Sequence, residues 1–479
     1  MSLQTALNTA QSIFSNTGRQ MQVVSKNISN ANNPDYNRRE AVLSTTTQGA
    51  YISRDARASN DVLSRSNYDS VSSLSGQNTL YSGLERLAAS LGGNEYDTSP
   101  SAYISNLRNA LQAYAALPSD NTLAQTVISD AVDVANSLNA TSDAVQALRT
   151  DLDKQIELEV ADLRSLLDSF KEVNDAIKGG TASGSNVNDE LDTRDQLLSQ
   201  ISEIIGVQSV TRANNDMVLY TSDGTVLFEG SPRQISFTSK NGYDASVVGN
   251  PIYIDGVAVS TGAGGNTTAQ GSLQANLQLR DNIAPTYQSQ LDELASGLIG
   301  MFSEGANTGL FSWSLPTPSS PATITPGTVY PGLASTISVD PAYNTAVGGD
   351  ASRLRDGYYV VSNTTGATGY TALLESYVDG MEASKTWDSS TQLNTTLNIL
   401  DFSSASIGWL EDLRSTASDA VETKKATQQR TSEALSNAVG VSLDEELSLL
   451  LDLEQAYKAS SKLVSTVDQM LQALLAAAG

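Results

Sequence analysis

Ser25-Lys26-Asn27-Ile28-Ser29-Asn30-Ala31-Asn32-Asn33-Pro34-Asp35-Tyr36-Asn37-Arg38 is the stretch at which the chain first commits to a shape. Upstream of it, Leu3, Ala6, Ala10, Ile13, Thr17, Val24 and Ile28 recur at three- and four-residue spacing between Ser, Asn and Gln, which is one face of an α-helix. Asn32-Asn33-Pro34-Asp35 then ends the helix, because proline lacks a donor and crowds the preceding turn. The far end mirrors this pattern. Leu443, Leu447, Leu450, Tyr457, Val464, Val467, Leu471 and Leu474 trace a second stripe, interrupted by Glu454 and Ser461 and opened by the capping-box pair Ser442 and Glu445. Stripes diluted by Ala, Thr and Ser are too weak to hold a lone helix, so each end needs a partner. Residues 1–60 carry six basic side chains against three acidic ones, and residues 441–479 carry two against six. Opposite charge at the two ends predicts that residues 1–55 and 440–479 pair as one discontinuous helical domain.

Residues 56–439 form the expected central domain, with long helices at about 100–205, 273–304 and 395–439. Val127, Ala131, Val134, Leu138, Val145, Leu148, Leu152, Leu163, Leu166, Phe170, Val173 and Ile177 keep one heptad register, which predicts coiled-coil-like packing. Two shorter helices are the alternative, since Asn139-Ala140-Thr141-Ser142 weakens the middle; Gly179-Gly180 is the expected stop. A β-hairpin region is predicted over 207–262. Val218-Leu219-Tyr220, Val226-Leu227-Phe228 and Ile252-Tyr253-Ile254 are its strands, with Asp223-Gly224, Asn241-Gly242 and Asp255-Gly256 as turns. Five prolines between Pro316 and Pro331 predict an irregular loop over 309–332, followed by strand-like material near Ile337 and at Tyr358–Val361. The expected class is mainly α with a β subdomain.

Composition narrows the function. With 28 Lys+Arg against 53 Asp+Glu, the net charge of −25 repels nucleic acid and anionic membrane, so neither is an expected partner. The absence of Cys and His removes thiolate nucleophiles, disulfides, Cys/His zinc sites and imidazole bases. No segment reaches the roughly 18 apolar residues of a membrane span, and the first 16 residues lack the basic and apolar regions of a cleaved secretion signal. Asp189, Glu190, Asp192 and Asp195 are clustered, and paired carboxylates can hydrolyse glycosides or hold calcium. They lie at an expected helix start, where acids favour the helix dipole, and they lack a loop glycine pattern. No catalytic, cofactor-binding or metal residue is therefore expected.

The opening stretch resembles the Asn-Ile-Ala/Ser-Asn motif and Pro-Gly-Tyr turn of flagellar rod, hook and junction proteins, with Asp35 in place of the glycine as an αL-capable substitute. Three further segments resemble the hook-associated protein 1 family of hook–filament junction proteins. They are Gly440-Val441-Ser442-Leu443-Asp444-Glu445-Glu446-Leu447 with Leu453-Glu454-Gln455-Ala456-Tyr457, Leu191-Asp192-Thr193-Arg194-Asp195-Gln196-Leu197 up to Ile205-Gly206-Val207, and Gly271-Ser272-Leu273 through Leu279-Arg280-Asp281. The resemblance implies a structural subunit, exported by the flagellar type III route, that self-assembles into a ring or filament layer. Hook protein and a second junction protein would be its neighbours, with an export chaperone. Hook protein, the second junction protein and flagellin are the alternative axial identities; a cell-wall glycosidase is the enzymatic one. The family's outer β-domain is expected to be missing or reduced to the 309–332 loop. The candidate assembly residues are Leu3, Ile13, Val24, Asn27, Ile28, Asn30, Tyr36, Arg38 and Arg39, then Leu443, Leu447, Leu450, Tyr457, Val464, Val467, Leu471 and Leu474. Arg38 and Arg39 are expected to touch only a neighbouring strand, a neighbouring subunit or water.

Overall fold

The computed structural model describes residues 3–46, 49–259, 269–314, 324–325 and 327–478, and within the helices the side chains of Leu3 and Leu474 lie outside the described residues. The chain begins with α1 (Leu3–Ser29), the hairpin β1 (Arg39–Thr46) and β2 (Gly49–Arg57), and α2 (Asp61–Ala89). Then come α3 (Pro100–Ala116), α4 (Asn121–Ser183) and α5 (Asn188–Ile204). Short strands follow: β3 (Val207–Thr211), β4 (Met217–Thr221), β5 (Val226–Phe228), β6 (Ile235–Ser236), β7 (Tyr253–Ile254) and β8 (Val257–Ala258). Helices α6 (Ser272–Gln278) and α7 (Ala284–Met301) are joined by a π-turn over Leu279–Ile283. Next are β9 (Ser303–Glu304), β10 (Asn307–Gly309), β11 (Phe311–Ser312), β12 (Ser338–Val339), α8 (Arg353–Asp356) and α9 (Ala372–Glu382). The chain closes with β13 (Lys385–Thr386), β14 (Thr396–Leu397), α10 (Ile399–Val439) and α11 (Leu443–Ala478). The fold is mainly α, with small antiparallel sheets of two or three strands among the described residues.

Two compact units share these elements. The first comprises Met1–Leu74, Asp162–Gln234 and Thr423–Gly479. It is therefore larger than the expected 1–55 plus 440–479, because the hairpin, the start of α2, the last third of α4, α5 and β3–β5 belong with the terminal helices. In it, α1 and α11 pack along a seven-residue repeat. Ala10, Thr17 and Val24 of α1 are buried, as are Glu446, Leu453, Ser460 and Val467 of α11, the period of a left-handed coiled-coil seam. Phe14 and Tyr457 meet beside it with ring centroids 4.5 Å apart. Only four of the seven seam residues are apolar, each worth roughly 1.5–3 kcal/mol or less when buried, so the pair is weakly held along most of its length.

The second unit comprises Ser75–Ala161 and Ile235–Glu422. Its core runs through Leu107, Leu111, Val127, Val134 and Leu138 to Leu291, Leu298, Phe302 and Phe402. Arg280, in the π-turn, is wholly buried; it pairs with Asp153 of α4 and donates to the Asn250 carbonyl at 2.8 Å. The Leu279-Arg280-Asp281 segment thus ties α4 to the loop before β7.

Several local expectations are corrected. Gly179 and Gly180 do not stop α4, which is continuous from Asn121 to Ser183 and runs through Asn139–Ser142. Gly184, at φ +75°, ends it in a Schellman turn, with Ser185 N–H donating to Gly180 O at 2.8 Å and Gly184 N–H to Thr181 O at 3.2 Å. Gly180 has a packing reason instead: a Cβ there would lie 2.3 Å from Val187 Cγ1. Residues 100–205 form three helices rather than one. Asp223-Gly224 and Asp255-Gly256 do turn hairpins, but Asn241-Gly242 lies in the long loop that joins the paired strands β6 and β7 and forms no tight turn between them, and Tyr358–Val361 is not a strand. Asp35 is absent from the non-glycine residues with positive φ, so the turn before Tyr36 needs no left-handed residue there; Asp35 N–H donates instead to Asn33 Oδ1 at 3.1 Å. The proposed 309–332 loop is narrower than expected. Leu310, Phe311 and Leu333 are core residues and β11 pairs with β12, while residues 315–323 and 326 lie outside the described residues.

Candidate functional site

The N-terminal hairpin sets the site's geometry. Its register places Arg39 of β1 opposite Arg57 of β2. Two cations facing each other across a strand pair are destabilising unless a carboxylate lies between them. Helix α5 provides it: Asp189, Asp192 and Asp195 follow at three-residue intervals and so share one face. Asp192 takes Arg39 on one oxygen and Arg57 Nε on the other, the latter at 2.7 Å; Asp195 takes Arg57 as well. Asp189 takes Lys26 at 3.1 Å and Arg39 at 3.2 Å. Burial alone would push the Asp189 carboxyl up, but hydrogen bonds and charge from Lys26 and Arg39 hold it below the usual range. Burial likewise opposes the Arg57 charge, and Asp195 and Asp192 reverse that effect and raise its pKa.

Asn27 connects this cluster to the other end of the chain. Its side-chain amide donates to Arg39 O at 2.8 Å and to Glu446 Oε2 at 3.1 Å. Its carbonyl accepts from Tyr36 Oη at 2.9 Å and from Arg39 N–H at 3.0 Å. Glu446 is fully buried in α11 and accepts from Arg38 Nε at 2.7 Å on its other oxygen. The Arg38 backbone also bridges, donating to Val439 O at 2.8 Å and accepting from Ala58 N–H at 2.9 Å. Tyr36 closes the top: Arg39 lies 4.8 Å over its ring, and burial pushes its phenol up to about 12. A second buried node adjoins it, where Arg194 donates to Asn174 Oδ1 at 3.1 Å and Asn215 O at 2.6 Å, tying α5 to α4 and the turn before β4.

Three sequence segments that stand apart in the chain thus converge: Asn27–Arg39, Leu191–Asp195 and Leu443–Leu447. The expectation that Arg38 and Arg39 reach only a neighbour or water is corrected, because both are committed within the subunit, and Arg39 is only 4% exposed. The expected pairing of a basic N-terminal arm with an acidic C-terminal helix is also altered. Among the described residues, Arg38 alone of the arm's cations meets α11, while Lys26, Arg39 and Arg57 go to α5. The acidic cluster at 189–195 is consequently neither a bare dipole cap nor a free pair of carboxylates. Three cations, Lys26, Arg39 and Arg57, pair with Asp189, Asp192 and Asp195.

The remaining candidates divide by exposure. Val24, Asn27, Tyr36 and Val467 are buried, and Ile28, Asn30, Leu450, Tyr457 and Val464 are half-buried. Ile13, Leu443, Leu447 and Leu471 lie off the α1–α11 seam and are exposed, joined there by Phe14, Leu449, Leu451, Leu463 and Met470. Leu449, Leu463 and Met470, with Ala456 between, keep a seven-residue spacing of their own on α11, so a second apolar stripe runs beside the first without a partner in the described chain. The stripe read from sequence spacing took in Val467 of the buried seam and none of Leu449, Leu463 and Met470. Arg57, Asp192, Asp195 and Glu446 were missed as site residues; the Leu191–Asp195 and Leu443–Leu447 motifs held the signal, but not its partners.

Residues 85–311 match the family model described as the flagellar hook-associated protein FlgK helical domain, and residues 433–477 match that of the flagellar basal body rod FlgEFG protein C-terminal segment. The chain is 24% identical over 313 residues to flagellar hook-associated protein 1 of Salmonella typhimurium, covering 62% of this chain and 55% of that protein. It is 23% identical over 321 residues to the Escherichia coli K12 protein of the same name, covering 63% and 56%. The chain thus matches little more than half the length of these relatives. The flagellar hook junction protein FlgK of Burkholderia pseudomallei shares its fold, with a TM-score of 0.57 at 15% identity over 77% of this chain and 99% of that one.

Proposed function

We propose that the chain is a member of the hook-associated protein 1 family of flagellar axial proteins and, on that premise, a structural subunit of the junction between hook and filament, polymerising through α1 and α11. The observation that carries this reading is the unpartnered apolar stripe of Leu449, Leu463 and Met470 on α11; Leu443, Leu447 and Leu451 of α11 and Ile13 of α1 are further exposed apolar side chains of the same helix pair. An apolar surface of this extent on a helix pair marks a protein interface. The pair's own seam is thin, so neighbours that cover the second stripe complete its burial. In this reading the site residues have two roles. Asn27, Tyr36, Arg38 and Arg39 fix the helix pair to the hairpin and α5; Leu447, Leu471 and their exposed companions meet other subunits.

The role is structural rather than enzymatic, and the subunit works in the extracellular part of the flagellum after type III export. Hook protein and a second junction protein are its neighbours, and a chaperone covers the apolar stripe before export. Fewer than 30 residues separate Ser312 from Ser338, too few for a β-domain with its own core, which supports the reading that the outer domain of the family is missing or reduced here. Among the described residues no helix is long and apolar enough to cross a membrane.

Expression of Leu449→Ser/Leu463→Ser/Met470→Ser in cells lacking the natural subunit tests the reading. The expected result is a folded, exported subunit that is not retained at the hook, with flagellin shed into the medium. Filaments of normal number and length on these cells would overturn it.

A further inference from the structure

In the first unit, an open polar cleft of about 920 Å³ lies between β2, the start of α2, the turn after α4, α5 and β3–β4. Arg19, Arg54, Arg57, Arg65 and Arg194 line it against three aspartates, an excess of positive charge in a chain whose net charge is −25. Arg57 is held by Asp192 and Asp195, but the other four are less well matched within the subunit. Arg54 has no carboxylate partner among the described residues, and Arg65 donates to the Asp61 carbonyl at 3.1 Å, with the Asp69 charge nearby. Arg19 reaches Asp55 only at 3.5 Å and from an exposed position. Arg194 is buried with its Nε unsatisfied, and so is Oδ1 of Asp55. Where acids outnumber bases almost two to one, a cleft in which arginines outnumber aspartates, and in which Arg54 is left without a carboxylate, is fitted to an acidic partner.

The chain contains such a partner. Asp444-Glu445-Glu446 is its one run of three consecutive carboxylates. Glu446 is committed to Arg38 and Asn27 of its own chain, which fixes the segment there. Asp444 and Glu445 are exposed, with no cationic partner among the described residues, and are flanked by the exposed Leu443 and Leu447. The cleft offers the matching apolar contact in Val210, which is half exposed at its edge. We infer that the cleft of one subunit receives the Leu443–Leu447 turn of a second copy, Asp444 and Glu445 meeting Arg54 and Arg65 while Leu443 or Leu447 covers Val210. This rests on the reading that copies polymerise, and it assigns one of the surfaces through which they do so.

The chain has no cysteine, so single cysteines report this contact without background. Full-length Arg54→Cys and Glu445→Cys chains, mixed and allowed to assemble under mild oxidation, are expected to give a mixed disulfide dimer, with neither chain alone doing so. Arg54→Glu/Arg65→Glu is expected to weaken self-association about tenfold, and pairing it with Asp444→Arg/Glu445→Arg chains to restore it. Circular dichroism and thermal melting should match the parent in each case, since these four side chains lie outside the Asn27–Glu446 and Arg39–Asp192 network. Normal assembly with no mixed disulfide, or reversal without effect, would overturn the cleft assignment and leave the junction reading intact. Failure of the unaltered chain to self-associate at any concentration would remove both.

Discussion

Replacing Asn27 with alanine removes four hydrogen bonds at once from a site that is 1% exposed. Their partners are Arg39 O and N–H, Tyr36 Oη and Glu446 Oε2, at 2.8–3.1 Å. Each bond contributes about 0.5–1.5 kcal/mol net, and a buried group left unsatisfied costs more. Glu446 keeps Arg38, and water entering the small gap can serve one or two of the others, so the expected loss is about 3–5 kcal/mol. Global unfolding of a two-unit chain is not a two-state measurement. Hydrogen exchange of the full chain, read at Arg39–Thr46 and at the last turns of α1, isolates the local effect. Exchange there is expected to rise roughly 150- to 4,000-fold, with protection in the second unit unchanged. Asn27→Asp is expected to be worse than alanine, because it sets a carboxylate against Glu446. A rise below about tenfold for the alanine variant, or an aspartate better tolerated than alanine, would refute the argument that Asn27 is the node joining the chain's two ends.

Other outcomes follow from the same structure. A double-mutant cycle on Arg39→Met and Asp192→Leu, read by hydrogen exchange at the hairpin, should show each single change costing about 3–5 kcal/mol and the pair less than their sum, since each breaks a buried ion pair whose remaining member keeps only a secondary partner, Asp189 for Arg39 and Arg57 for Asp192; additive losses would contradict it. Asp292 and Glu293 are buried side by side on α7, and burial pushes both carboxyls up to about 7 despite the hydrogen bonds Asp292 accepts from Gly332, Ala334 and Gln288. Their folded-state values exceed the unfolded ones near 4, so stability of the second unit should be greatest below about pH 4 as far as these two groups are concerned and fall until about pH 7. Asp292→Asn with Glu293→Gln should flatten that slope, and an unchanged pH profile would contradict it. Gly180→Ala should destabilise by about 1–3 kcal/mol through the clash with Val187, although alanine is the better helix former; a gain in melting temperature would show the contact can yield. Truncation after Val467 should leave the free chain's stability within about 1 kcal/mol, because Met470 and Leu471 are exposed, yet abolish incorporation.

The terminal helices were legible because three-and-four spacing survives even when the stripe is built from Ala, Thr and Ser. What spacing could not settle was which face α11 turns to α1 and which it leaves open, as both follow seven-residue repeats three positions apart: Leu453, Ser460 and Val467 against Ala456, Leu463 and Met470. The hairpin β1–β2 escaped notice because its strands are rich in Ser, Thr and charged residues and alternate little; its stability comes from Arg39 and Arg57 meeting α5. Helix α2 was missed because serine dilutes its apolar period. The site's motifs could be read, but their pairing could not: Asn27 and Glu446 are 419 residues apart and Arg39 and Asp192 are 153 apart, and no local pattern encodes which carboxylate a given arginine will find. Gly180 misled for a related reason, since its role depends on Val187 folding back onto α4.

Radical footprinting of the free subunit and of isolated hook–junction assemblies tests the polymerisation claim most directly. Met470 is 46% exposed and Leu463 53% exposed in the free chain, so both should be oxidised readily there. The account predicts that assembly protects Met470, Leu463 and Leu449 at least fivefold, roughly the change expected when a half-exposed side chain enters a packed interface, while buried Leu453 and Val467 react slowly in both states. Equal oxidation of Met470 and Leu463 before and after assembly, with protection appearing only elsewhere in the chain, would contradict it.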